Sequence, residues 1–216
     1  MTTILVINPN TSARTTKMMV SVAQPLVPSG FNIVGVSAAH GVPMIVNEFD
    51  LAASIIEVVR IGREKASGVG AIMVAAFGSP GADILRQTVR IPVIGIGEAA
   101  IMEAAAGERR FGIATTTPAL VGSIEAGVRK LSLERNFTGV RLPDGDPLTL
   151  AASPAKQDAA LIKASADCIE LDGAEAVVIG GGPLSASAAR LRHRFTNDII
   201  EPVPAAIRYL LKHLAG

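Results

Sequence analysis

Short runs that are apolar at every position alternate with longer stretches in which apolar residues recur every third or fourth position. The short runs are rich in Val and Ile. They predict strands at Ile4–Ile7, Asn32–Val36, Ala71–Ala75, Val93–Ile96, Phe111–Thr115, Gly139–Leu142 and Ala176–Ile179. A strand that is apolar on both faces suits a parallel sheet covered by helices on both sides. The longer stretches predict helices over 12–27, 50–66, 80–88, 98–106, 118–132, 154–171, 183–194 and 204–214. Strand and helix alternate along the whole chain, which is the α/β pattern.

The pattern repeats. Strand ILVIN from Ile4 runs into PNTS, and strand FGIAT from Phe111 runs into TTPA, 107 positions later. Strand IMVAA from Ile72 runs into FGSP, and strand VVIGG from Val177 runs into GPLS, 105 positions later. The duplication predicts two pseudo-symmetric parallel-sheet α/β lobes, the first from 1–97 plus 201–216 and the second from 98–200. Ser79-Pro80, Thr117-Pro118 and Ser153-Pro154 read as an N-cap followed by proline at the first helical position, with Gly182-Pro183 a weaker case. Asn10-Thr11-Ser12 caps the first helix without proline. Ligands of open parallel sheets bind beyond the carboxyl ends of the strands, so four turns, two from each lobe, are expected to face one cleft.

Composition narrows the function classes. The chain has 216 residues, 49% hydrophobic and 18% charged, with a net charge of +1 and no basic stripe. That argues against nucleic acid and membrane surfaces as partners. Aromatics make up 3% with no Trp, which leaves little to stack on bases. No run approaches the roughly 18 apolar residues of a membrane span. Met-Thr-Thr leads into a strand without the regions of a signal peptide, so the cytoplasm is the expected compartment. Helix-covered sheets of this size often pair, and a homo-oligomer is expected.

The candidate chemistry sits in the turns. Asn8, Asn10 and Thr11 follow the first strand, and their amides and hydroxyl suit a ligand with alternating C=O and N–H groups. Gly78 and Ser79 offer backbone N–H groups and one hydroxyl, although capping alone accounts for Ser79. Thr115 and Thr116 follow the strand of the second lobe. Gly180, Gly181 and Gly182 can supply only backbone donors and close approach. GIGEAA at Gly95–Ala100 fits a weak dinucleotide fingerprint, but no Asp or Glu follows about 20 residues on, and no nucleotide cofactor is expected. His40, His193 and His213 are too scattered to hold a metal, and the single Cys168 lies mid-helix in an apolar setting. Glu98 opens a helix, where the dipole alone accounts for it.

INPNTS, HGVP at 40–43, FGSPG at 77–81, PVIGIGEAA at 92–100, TTTP at 115–118 and GGGPL together resemble the aspartate/glutamate/hydantoin racemase superfamily, nearest its hydantoin and allantoin racemase branch. The resemblance covers essentially the whole chain. It implies two α/β lobes with the active site between them, a small-molecule substrate, and no cofactor or metal. It also implies a two-base mechanism in which one thiol per lobe flanks an acidic Cα–H. Those two family cysteines fall on Ala76 and Gly181, neither of which can carry a proton. The family's acid after HGP falls on Asn47, with Glu48 beside it, and its FGDPG is FGSPG here, with Ser79 at the aspartate position.

The expectation is therefore a superfamily enzyme acting on a small ureide, imide or amino-acid-like carbonyl compound by a chemistry other than the two-thiol one. Asn8, Asn10, Thr11, Gly78, Ser79, Thr115, Thr116, Gly181 and Gly182 are its candidate binding residues, and Ser79 its candidate catalytic residue. A lyase, decarboxylase or ring-opening hydrolase in the same cleft, or a catalytically silent binding protein, are the alternatives.

Overall fold

The computed structural model describes residues 1–214. In chain order its elements are β1 (Thr2–Asn8), α1 (Ala13–Ala23), β2 (Phe31–Ser37), α2 (Glu48–Ala53), α3 (Ile55–Lys65), β3 (Ala71–Val74), α4 (Ala82–Thr88), β4 (Val93–Gly95) and α5 (Ile96–Ala104). The second half follows with β5 (Phe111–Ala114), α6 (Val121–Lys130), β6 (Phe137–Arg141), α7 (Pro147–Ala151), α8 (Pro154–Glu170), β7 (Ala176–Ile179), α9 (Ser185–Leu191), β8 (Asp198–Ile200) and α10 (Pro202–Leu214). The strands form two parallel sheets of the same order, β2-β1-β3-β4 and β6-β5-β7-β8. The duplication read from the turns is thus a duplication of topology.

Successive residues of each central strand are buried on opposite faces of the sheet, as the period of two requires. Ile4 and Val6 face a core shared by both sheets, whereas Leu5 and Ile7 face an outer core with Val58, Ile61 and Leu85 of α3 and α4. In the second lobe Val178 joins the shared core, and Val177 and Ile179 pack outward on Leu161, Cys168 and Leu191. Helices α5 and α10 pack against each other in the shared core; α5 rests on β7 and β8, and α10 on β3 and β4. On that packing we propose the division 1–97 plus 201–216 and 98–200. Among the described residues no helix is long and apolar enough to cross a membrane.

Three local expectations are corrected. Helix 50–66 is broken at Ser54 into α2 and α3. Strand β8 and helix α7 were not foreseen, because three and five residues are too few to show a period. Ser79-Pro80 does not cap a helix: Ser79 has φ +50, Gly81 follows at φ +74, and α4 begins only at Ala82. Thr117-Pro118 and Gly182-Pro183 likewise open only short 3-10 turns, ahead of α6 and α9, with no side-chain cap from Thr117. Two caps do open α-helices. Ser12 accepts from Thr15 N at 3.2 Å and starts α1, and Ser153 precedes Pro154 at the first position of α8.

One buried carboxylate ties the β2 loop to α3. Glu57 accepts from Arg60 Nε at 2.9 Å and from Ala39 N at 2.7 Å. The Arg60 hydrogen bond is the main reason its pKa is lowered from 4.5 to about 2, against the opposing effect of burial. A carboxyl whose pKa is depressed on folding stabilises fully above its unfolded value and loses that contribution as pH falls through the folded one. The thermal midpoint is expected to fall between pH 4.5 and about 2, and Glu57→Gln to flatten that limb in melts followed by circular dichroism.

Candidate functional site

The carboxyl ends of β1, β3, β5 and β7 converge on one cavity of about 60 Å³. Asn10 reaches it from the turn after β1, Ala75–Gly78 from the turn after β3, Thr115–Thr117 from β5, and Gly180–Leu184 from β7. Met44, Ile45 and Leu51 close it from the first lobe, and Leu120, Ser123 and Ile124 from the second. One water needs about 10–15 Å³ by this measure, so the space suits a handful of waters or one compact ligand. The lobes touch at its floor. A Cβ on Gly182 would stand 2.6 Å from Ala75 O, and one on Gly180 would be 3.7 Å from the Phe77 ring.

Of the residues singled out by sequence, Asn10, Ala76, Gly78, Thr115, Thr116, Gly181 and Gly182 line this cavity together. Asn8, Thr11 and Ser79 do not. Asn8 is fully buried beneath α1, where its Nδ2 donates to Thr16 Oγ1 at 2.9 Å and to Asn10 Oδ1 at 2.8 Å. It holds the site's shape from below. Thr11 N donates to Val42 O at 3.0 Å and so anchors the β2 loop. Ser79 turns toward Gly95, in an adjoining pocket it shares with Asp83, Glu98 and Lys130. Glu98 caps α5 by accepting from Gly95 N at 3.1 Å. Burial raises its pKa, but Arg86 outweighs that and holds it below the ordinary range.

Sequence reasoning missed the apolar wall of Met44, Ile45, Leu51, Leu120 and Ile124, and the hydroxyl of Ser123. Those residues lie in a loop and on helices whose apolar spacing reads as ordinary core. Asn47 is a helix cap, accepting from Asp50 N at 2.8 Å. His40, His193 and His213 are exposed and lie outside the cavity. Cys168 is fully buried in α8, and burial pushes its thiol up to about 12. Among the described residues no three metal-binding side chains cluster.

Several hydrogen-bond donors of the lining are unpaired among the described residues. Asn10 Oδ1 is occupied by Asn8 Nδ2 and by Ser12 N, at 2.8 and 2.9 Å, which leaves the Asn10 Nδ2 donors free among the described residues. Thr115 Oγ1 donates to Gly180 O at 2.7 Å and is spent on structure. The Thr116 hydroxyl has no partner among the described residues, nor do the backbone N–H groups of Gly78, Thr116, Thr117, Gly181 and Gly182. No ionisable side chain lines the space among the described residues.

The sequence model of the Asp/Glu/hydantoin racemase family matches residues 4–210. The chain belongs to this family. It is 30% identical over 209 residues to a hydantoin racemase of Paenarthrobacter aurescens, an alignment spanning 95% of this chain and 88% of the relative. Its fold superposes on the allantoin racemase of Klebsiella pneumoniae with a TM-score of 0.93 at 28% identity, covering all of this chain and 88% of the other. The allantoin racemase of Pseudomonas fluorescens gives a TM-score of 0.90 at 24% identity, over 99% of this chain and 91% of that one, a likeness of fold. By family this is a racemase-type isomerase of the hydantoin racemase branch, and its cleft lies between the paired sheets.

Proposed function

We propose that the cleft takes a small, uncharged cyclic ureide or imide and activates the C–H next to a ring carbonyl without the family's thiol pair. The observation that carries this reading is the lining of donors and apolar side chains with no ionisable group among them. Aspartate or glutamate would bring three charges into that space, where donors can meet a carboxylate but no acidic side chain of the described lining meets the ammonium, and a buried charge without a counter-charge is unfavourable. A neutral ureide asks only for hydrogen bonds. Asn10 Nδ2 and the N–H groups of Thr116, Thr117, Gly181 and Gly182 can meet its carbonyl oxygens, and the Thr116 hydroxyl can accept from its N–H. Met44, Ile45, Leu51 and Ile124 suit an apolar ring substituent.

Donors aimed at a carbonyl oxygen stabilise the enolate that forms when the neighbouring C–H ionises. The thiol positions implied by the family resemblance, Ala76 and Gly181, both line the cavity, one from each lobe, and neither can move a proton. Loss of one positioned base lowers a rate by about 10²–10⁴-fold. Slow turnover is therefore the expectation. The absence of an ionisable group also favours a second reading, ligand binding without turnover. Ring opening by Ser79 draws no support, because its hydroxyl lies outside the cavity.

Calorimetric titration of the wild-type protein tests the proposal. A hydantoin with an apolar substituent is expected to bind, whereas aspartate and glutamate are expected to give no saturable heat. The reverse selectivity would overturn it.

A further inference from the structure

We propose that Ser123 is the proton-exchanging residue of this cleft, with Glu48 positioning and polarising its hydroxyl across the gap between the lobes. The inference rests on reading the cavity as a ureide site. Ser123 lines the cavity from the first turn of α6, and its Oγ donates to Glu48 Oε1 at 3.1 Å. Glu48 stands at the start of α2 in the first lobe, so the contact spans the cleft. Among the described residues it is the one ionisable side chain hydrogen-bonded to a side chain of the lining. The same carboxylate oxygen would lie 2.9 Å from a Cβ placed on Gly122, so it sits against the opening turn of α6. The far end of α6 is also held to the first lobe, through Lys130 Nζ on Asp83 Oδ1 at 2.6 Å. Both ends of the helix thus touch the first lobe, and the hydrogen bond to Glu48 orients the Ser123 hydroxyl.

The step balances without any other reactant. The ring C–H breaks and its proton passes to Ser123 Oγ, while the proton already on that hydroxyl moves to Glu48 Oε1. The electron pair stays on the ring as an enolate, whose oxygen accepts from the cleft's backbone N–H groups. Glu48 is exposed, so water can exchange its proton. Reversal then returns a solvent-derived proton to the same face of the ring. Isotope exchange accordingly outruns loss of optical rotation, because inversion requires the enolate to leave or turn over before it is protonated.

The test uses the full-length protein with one enantiomer of an apolar-substituted hydantoin in deuterated water. NMR follows C–H exchange, polarimetry follows rotation, and calorimetry gives the dissociation constant. Exchange is expected to fall by about 100-fold or more in Ser123→Ala and in Glu48→Gln, with dissociation constants changed by less than about 3-fold and partial rescue by Glu48→Asp. Glu48→Gln keeps an oxygen for the Ser123 hydroxyl, so a contact that only holds the lobes together survives that change. Unaltered exchange in Glu48→Gln overturns the role of Glu48. Binding with no exchange above the buffer control in the wild type overturns the pair and leaves the binding site standing. Absence of binding overturns both.

Discussion

Ala76→Cys/Gly181→Cys is expected to racemise a bound hydantoin about 10²–10⁴-fold faster than the wild type, the usual effect of supplying a positioned acid–base group. Ala76 already lines the cavity from the turn after β3 with its Cβ in place, so a cysteine there adds only a sulfur. Free backbone N–H groups nearby favour the thiolate form. Position 181 is harder. Its φ of +152 lies in the region that favours glycine, and a Cβ would stand 3.3 Å from the Leu184 side chain. A residue held in such a conformation costs about 1–3 kcal/mol. The two single variants therefore differ. Ala76→Cys alone should fold normally and exchange the C–H of one enantiomer without inverting it, since one base serves one face. Gly181→Cys alone should melt at a lower temperature. Polarimetry and deuterium exchange measured together distinguish them. A folded, ligand-binding double variant no faster than wild type would show that the lost sulfur atoms are not what limits the rate.

Gly182→Ala is expected to weaken hydantoin binding by more than about 10-fold and to destabilise the fold by about 1–3 kcal/mol, the range for forcing extra atoms into a packed contact. The added methyl would lie 2.6 Å from Ala75 O and 3.0 Å from Met19 Sδ. The sulfur can rotate away, but the carbonyl is backbone at the end of β3 and cannot. The lobes must therefore part, and the N–H groups of Gly181 and Gly182 move away from Asn10. Calorimetry and thermal melts read the two effects separately. Unchanged affinity would mean that the two turns do not share a ligand.

Ile4, Leu5, Val6 and Ile7 pack alternately on two cores, so the run is apolar at every position and legible as a buried strand, and the repeated strand–turn units made the lobes so. The turns themselves were read well where a residue's neighbours in sequence decide its role, as at Ser12. They were read poorly where tertiary contacts decide it. Asn8 and Asn10 look equivalent in INPNTS, yet Asn8 ends a strand and is drawn under α1 by Thr16, while Asn10 stands one turn higher and faces the cavity. Ser79 carries the signature of a cap, but the positive φ values at Ser79 and Gly81 swing it out of the cleft. Ser123 has no local signal at all. Its interest comes from Glu48, 75 positions earlier, and only the meeting of the lobes reveals it.

The proposed chemistry requires a cleft that prefers an uncharged ring to a charged ligand. The most direct measurement is a calorimetric comparison of an apolar-substituted hydantoin with its ring-opened carbamoyl amino acid, which has the same substituent and one added carboxylate. The closed ring is expected to bind at least about 10-fold more tightly, because the added carboxylate loses its hydration in a space whose described lining offers neutral donors and no cationic side chain. Equal or tighter binding of the ring-opened acid would show that the cleft is not built for an uncharged ring.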